Sequence, residues 1–184
     1  MSRLGWTLLL LFAIIIGGFT LLVRRGRAPV PARPEVAGAL AVPVRGIAPA
    51  QLVDTWGQSR AGGAREHHAI DIPASRGTPV VSAADGTVEK LFESKDGGHT
   101  IYIRRTDPAW IDYYAHLDTY APDLREGVAV RQGQQIATVG STGNASPDGP
   151  HLHYEIKHMA AGEKWYGGTD VNPYPLLAGK TVAR

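Results

Sequence analysis

The 184-residue chain contains no cysteine. That excludes a disulfide framework, a thiolate metal site and an N-terminal lipid-modified cysteine, and it leaves any metal to nitrogen and oxygen donors. Amphipathic helices of any length are also missing, because no stretch sustains apolar residues at the 3.6-residue period, and the 22 Gly and 13 Pro favour turns and short strands. Positive charge is scarce where nucleic acid would need it. The formal net charge is +2, but residues 1–46 carry a balance of +5 and residues 47–184 a balance of −3. Phosphate binding requires a basic surface on the binding module itself, so the charge map argues against a nucleic-acid partner.

What is present divides the chain into three parts. Residues 4–23 form an uncharged run rich in Leu, Ile and Phe, long enough as a helix to cross the hydrocarbon core of a bilayer. The run exceeds a signal-peptide core and no small-x-small cleavage pattern follows, so residues 1–25 read as an uncleaved transmembrane helix that anchors the protein. Arg24, Arg25 and Arg27 outnumber Arg3, which by the positive-inside rule favours a cytoplasmic C-terminal side. Residues 26–46 carry Pro29, Pro31, Pro34 and Pro43 among Ala, Val and Gly and read as a short semi-extended linker. Residues 47–184 show β patterning. Gly86-Thr87-Val88-Glu89-Lys90-Leu91, His99-Thr100-Ile101-Tyr102-Ile103-Arg104 and Gln135-Ile136-Ala137-Thr138-Val139 are short alternating runs bounded by turn residues. The expected fold is all-β: a mainly antiparallel sheet closed as a flattened barrel or hybrid sandwich.

The most informative segment is Gly149-Pro150-His151-Leu152-His153-Tyr154-Glu155. On a strand, residues i and i+2 share a face, so His151 and His153 stand together while Leu152, Tyr154 and Ile156 face the core. Two imidazoles on a well-patterned strand call for a user, and neutral imidazole is the commonest protein metal ligand. Arg65-Glu66-His67-His68-Ala69-Ile70-Asp71-Ile72 sets His67 and Asp71 four apart, on one face if the segment is a strand, with Ile70 and Ile72 inward. His67, Asp71 and His153 make two imidazoles and a carboxylate, the ligand count of a catalytic zinc site with an open fourth position. Tyr113-Tyr114-Ala115-His116-Leu117 adds a further histidine.

These motifs, H-x-x-x-D, Y-x-H-L and H-L-H-Y-E in that order, resemble the lysostaphin/LytM-type zinc metalloendopeptidases, hydrolases of the peptide bridges in bacterial peptidoglycan. Over roughly the last three quarters of the chain, the resemblance implies one zinc ion held by His67, Asp71 and His153, with His116 and His151 as non-ligand catalytic histidines. It implies peptidoglycan stem peptides as the substrate partner. It also implies an inner or cytoplasmic membrane protein, single-pass, whose catalytic domain lies on the periplasmic or extracellular side, against the arginine count. Glu155 shares a face with His153 and is a candidate to orient its ring. Gly140-Ser141-Thr142-Gly143-Asn144 resembles the loop that borders the family's substrate groove, and Trp110 and Tyr166 are candidates to line the cleft. The family's usual glycine before Ile70 is Ala69 here, which would be strained if that backbone needs φ > 0.

Two other functions fit parts of the pattern. A catalytically silent wall-binding or regulatory module that activates another hydrolase would share the fold, and the sequence leaves open an unidentified activator of this chain. A biotinyl- or lipoyl-type carrier would need a lysine at a hairpin tip, where the chain has Ala84-Asp85-Gly86 and Arg131-Gln132-Gly133.

Overall fold

The protein is described from a computed structural model over residues 40–179. The expected transmembrane helix and most of the linker lie outside the described residues. Among the described residues no helix is long and apolar enough to cross a membrane.

Period-2 patterning yields the expected antiparallel sheet. The strands are β1 (Ser59–Arg60), β2 (Arg65–Glu66), β3 (Ile70–Pro73), β4 (Pro79–Val81), β5 (Gly86–Ser94), β6 (Gly98–Arg105), β7 (Trp110–Tyr120), β8 (Ala129–Val130), β9 (Gln135–Val139), β10 (His151–His158) and β11 (Thr169–Val171). β1 and β2 form a separate small hairpin; the other nine make one sheet, with the order β11-β10-β7-β6-β5-β8 along its main path. β10 pairs with β7 along one edge, and with β3 and then β11 along the other. The strand carrying the two histidines is therefore enclosed on both sides. Its Leu152, Tyr154 and Ile156 are fully buried beside Ile70, Ile101, Leu117 and Ile136.

Residues 40–46, at the end of the expected linker, are part of this fold. Ala41 N–H donates to Ala83 O, and Val44 bridges Val80 and is 1% exposed. The one short α-helix of the described residues, α1 (Pro173–Leu177), starts at Asn172, whose side chain accepts from Tyr174 N–H. Pro173 at its first position suits a site where no N–H is needed. The Gly77 and Gly127 turns, both with φ near +80°, lead into β4 and β8, and the two hairpin tips meet where Gln132 N–H donates to Asp85 Oδ1 at 2.6 Å.

A buried ion pair anchors the sheet beneath the histidine strand. Arg105 grips the fully buried Asp112 with two hydrogen bonds of 2.9 and 2.6 Å, and Tyr154 O–H donates to the same carboxylate at 2.7 Å. Pairing and full hydrogen bonding are what make a carboxylate tolerable at that depth.

Candidate metal centre

Register brings the two halves of the site together. Asp71 on β3 stands directly opposite His153 on β10, which in turn faces Ala115 on β7. Directly opposed residues on one face of a sheet are side-chain neighbours. His67 is not on the strand of Asp71, as the four-residue spacing suggested; it lies in the link between β2 and β3. Its backbone is instead clamped to residues 57 and 58, with His67 N–H donating to Gln58 O at 2.9 Å and Gly57 N–H to His67 O at 2.8 Å. Asp71 N–H donates to Thr55 Oγ1.

Three atoms converge. His67 Nε2 is 3.1 Å from Asp71 Oδ1 and 3.2 Å from His153 Nδ1, and the last two are 3.2 Å apart. Hydrogen bonds on the far side of each ring decide where the protons sit. His67 Nδ1 lies 2.8 Å from Thr55 O, and a carbonyl only accepts, so Nδ1 carries the hydrogen and Nε2 offers a lone pair. His153 Nε2 lies 3.0 Å from Glu155 Oε1, so its Nδ1 is the free atom. With the proton off His153 Nδ1, three acceptors face one another at a range that suits one shared cation. Zinc–ligand distances of about 2.0–2.2 Å imply edges of roughly 3.4 Å between tetrahedral ligands, so this triangle fits zinc. Among the described residues, His67, Asp71 and His153 are the group able to hold a metal.

Proton affinities follow from the same contacts. Burial opposes charge on His153, but hydrogen bonds to Asp71 and Glu155 outweigh it and raise the ring to about 9. Burial would lift Asp71, yet its bonds to His153 and His67 hold it well below the usual carboxylate range. Glu155 is likewise lowered against its burial by His153 and Lys157. Its carboxylate thus orients the His153 ring, an arrangement common behind metal-bound histidines.

His116 arrives by a different route. It follows Ala115, which faces His153, so regular alternation would turn it into the core. Two residues of β6, His99 to Ile101, span three of β7, Leu117 to Tyr114, and this bulge redirects the strand. His116 has φ +59°, unique among the described non-glycine residues, a conformation that persists only where surroundings enforce it. Here they do. His116 N–H donates to Gly97 O at 2.8 Å, and the Nδ1–H donates to Thr142 O at 2.9 Å. Thr142 Oγ1 in turn donates to Leu117 O and accepts from His99 N–H. The 140–144 loop packs this closely because Gly98 and Gly143 lack side chains; a Cβ on Gly143 would lie 2.2 Å from Asp96 O.

His151 donates its Nδ1–H to Gly149 O at 2.8 Å, and its Nε2 is 3.8 Å from Asp71 Oδ1. The His116 and His151 rings meet edge-on at 4.9 Å, and His116 lies 5.6 Å from the His153 ring. Both therefore expose Nε2 beside the convergence point. Burial, followed by the neighbouring His153 and His151, lowers His116 to about 4 and keeps it neutral. All five candidate residues line one cleft of about 580 Å³.

Other expectations are corrected. Ala69 is fully buried without positive φ, so the missing glycine brings no strain. Trp110 and Tyr166 do not line this cleft: Trp110 packs on His158, and Tyr166 is 69% exposed. His68 lines the same cleft but is not among the converging atoms, as it stacks on Trp56 and bonds Asp170 Oδ2 at 2.9 Å. Sequence reasoning did not find Arg60, whose Nη2 donates to Asp71 Oδ2. No local pattern marks it, because its position depends on how the β1–β2 hairpin folds back.

An antiparallel sheet that gathers two imidazoles and a carboxylate able to hold a metal, flanked by two further histidines, has the layout of a metallopeptidase-type domain. Residues 65–173 match Peptidase family M23, and the chain belongs to that family. The L-Ala--D-Glu endopeptidase of Bacillus subtilis (strain 168) is 37% identical over 129 residues, covering 67% of this chain and 38% of that protein. The murein hydrolase activator NlpD of Escherichia coli (strain K12) is 36% identical over 128 residues, covering 69% of this chain and 29% of that protein. The chain thus spans well under two thirds of either relative. The solved catalytic domain of the antimicrobial peptidase lysostaphin from Staphylococcus simulans is 28% identical with a TM-score of 0.57, covering 67% of this chain and 88% of that one.

Proposed function

We propose that this chain is a zinc endopeptidase that hydrolyses peptide cross-links or bridges of bacterial peptidoglycan. Residues 4–23 would hold it at the inner or cytoplasmic membrane by a single pass, with the 47–184 domain on the periplasmic or extracellular side. The observation that carries the catalytic reading is the completeness of the site: three converging lone-pair atoms with two tautomer-fixed histidines beside them.

His67 Nε2, Asp71 Oδ1 and His153 Nδ1 are the atoms that would hold the ion. When bound, zinc supplies a Lewis acid that polarises the scissile carbonyl and acidifies a water. The protein supplies proton transfer and charge stabilisation. His116 Nε2, unprotonated because the ring's hydrogen is committed to Thr142 O, accepts the proton of the attacking water. The hydroxyl adds to the carbonyl carbon, the C–N bond breaks, and the proton leaves with the amine. His151, whose side chain is 21% exposed and whose ring adjoins that of His116, hydrogen-bonds the oxyanion when protonated.

A second reading, a module that activates another wall hydrolase, draws on the likeness to NlpD. The two separate in one experiment. Full-length protein loaded with zinc is incubated with cross-linked peptidoglycan, and the fragments are read by mass spectrometry with and without chelator. Chelator-sensitive loss of cross-linked species with new free amines is expected. Intact cross-links in the presence of folded, zinc-loaded protein would leave the activator reading.

A further inference from the structure

Asp71 could meet a metal through one carboxylate oxygen or two, and the choice decides whether the ion has four ligands or five once water is bound. In this structure the two oxygens face different groups. Oδ1 points at His67 Nε2 and His153 Nδ1, while Oδ2 accepts from Arg60 Nη2. Among the described residues, Arg60 is the hydrogen-bond partner of Oδ2. Arg60 Nη2 also lies 3.1 Å from His67 Nδ1, but that nitrogen already donates its hydrogen to Thr55 O. Two donors do not bond to each other, so the guanidinium hydrogen belongs to Asp71. Charge-assisted bonds of this kind are short and directional. The arrangement recurs nearby, where Glu155 turns Oε1 to His153 and Oε2 to Lys157.

We propose that Arg60 is a positioning residue that occupies Asp71 Oδ2 and so keeps Asp71 a one-oxygen metal ligand. The inference rests on the zinc reading above and adds a role for a cleft residue that is not itself a metal ligand. Arg60 sits on a two-residue strand with its side chain 35% exposed. A partly exposed pair of this sort contributes little to overall stability, so its removal should leave the fold standing and alter the site.

Cobalt(II) in place of zinc tests this, because four-coordinate cobalt absorbs more strongly in the visible than five-coordinate cobalt. The full-length protein and its Arg60→Met, Arg60→Gln and Arg60→Lys variants are loaded with cobalt, and their folding is compared by thermal unfolding. In Arg60→Met, Asp71 is free to bind through both oxygens, and the visible absorption is expected to fall about twofold as the ion goes from four to five ligands. With zinc, kcat on a soluble cross-linked muropeptide should fall roughly 10- to 100-fold, the range for partners that orient metal ligands, with KM little changed. Arg60→Lys, which keeps a charged donor, should retain most of the wild-type spectrum. Arg60→Gln serves if the Met variant does not fold. A neutral variant with the wild-type spectrum and kcat overturns the proposal. Failure of wild-type protein to take up cobalt would overturn the zinc reading itself, and this inference with it.

Discussion

His153 and His116 stand with ring centroids 5.6 Å apart, yet their surroundings push their proton affinities in opposite directions. His153 is backed by carboxylates on both nitrogens, Asp71 on one and Glu155 on the other, and is raised to about 9. His116 is lowered to about 4 chiefly by burial and then by the neighbouring histidines, and its ring hydrogen goes to a peptide carbonyl. An anion behind a ring makes its free lone pair a stronger donor, which suits holding a cation. A neutral carbonyl fixes the tautomer without adding charge, so the ring stays unprotonated and ready to accept a proton. The same side chain is thus given opposite proton affinities by what surrounds it, which is what the two proposed roles need.

That contrast can be broken most severely at His153. Replacing it with Ala removes a metal-holding atom, and both bound zinc, read by elemental analysis, and peptidoglycan cleavage should be lost. The next largest effect is expected for His116→Gln. Metal content should stay at the wild-type level while cleavage falls about 10²- to 10⁴-fold, the usual contribution of a general base. A His116 variant that also lost its metal would show that the two histidines do not divide the work. A gentler probe is pH. Zinc must displace the proton of His153, so between about pH 7 and its pKa near 9, each unit of acidification should weaken apparent zinc affinity about tenfold. Chelator competition across that range measures the slope, and a flat response would contradict the carboxylate-backed ring. The smallest effect is expected from Gly143→Ala. The φ of +73° and the crowding by Asp96 O should cost about 1–2 kcal/mol in thermal unfolding. Cleavage should drop through displacement of Thr142, with zinc content unchanged.

Much of this was legible in the chain, for reasons that differ from residue to residue. β10 could be read from alternation, since Leu152, Tyr154 and Ile156 bury one face. The burial of β5, β6 and β9 does not alternate strictly, and their turn-bounded short runs mark them instead. Spacing alone sets His67 beside Asp71, and the structure brings the two together for a different physical reason. Residues 67–69 are not a strand, and the ring is aimed by Thr55 O and the backbone of Gln58. His116 defeats alternation altogether, because a bulge and a left-handed backbone turn it out of the core. It was recoverable through motif resemblance alone. Arg60 left no trace in the sequence, as its contact with Asp71 spans eleven positions and a folded-back hairpin. The helix α1 is too short for periodicity, although Asn172-Pro173 is a start signal.

The interlock of residues 96–98 with 142–144 has a bearing on how the cleft can be altered. Gly98 would touch Thr142 if it had a side chain, Gly143 would touch Asp96 and Gly98, and Asn144 N–H closes the contact on Asp96 O. The two loops come from distant parts of the chain, yet neither has a shape independent of the other. An engineer retargeting the cleft by grafting a loop from a relative would have to move both together. Exchanged alone, either one would release His116 before it changed what the cleft accepts.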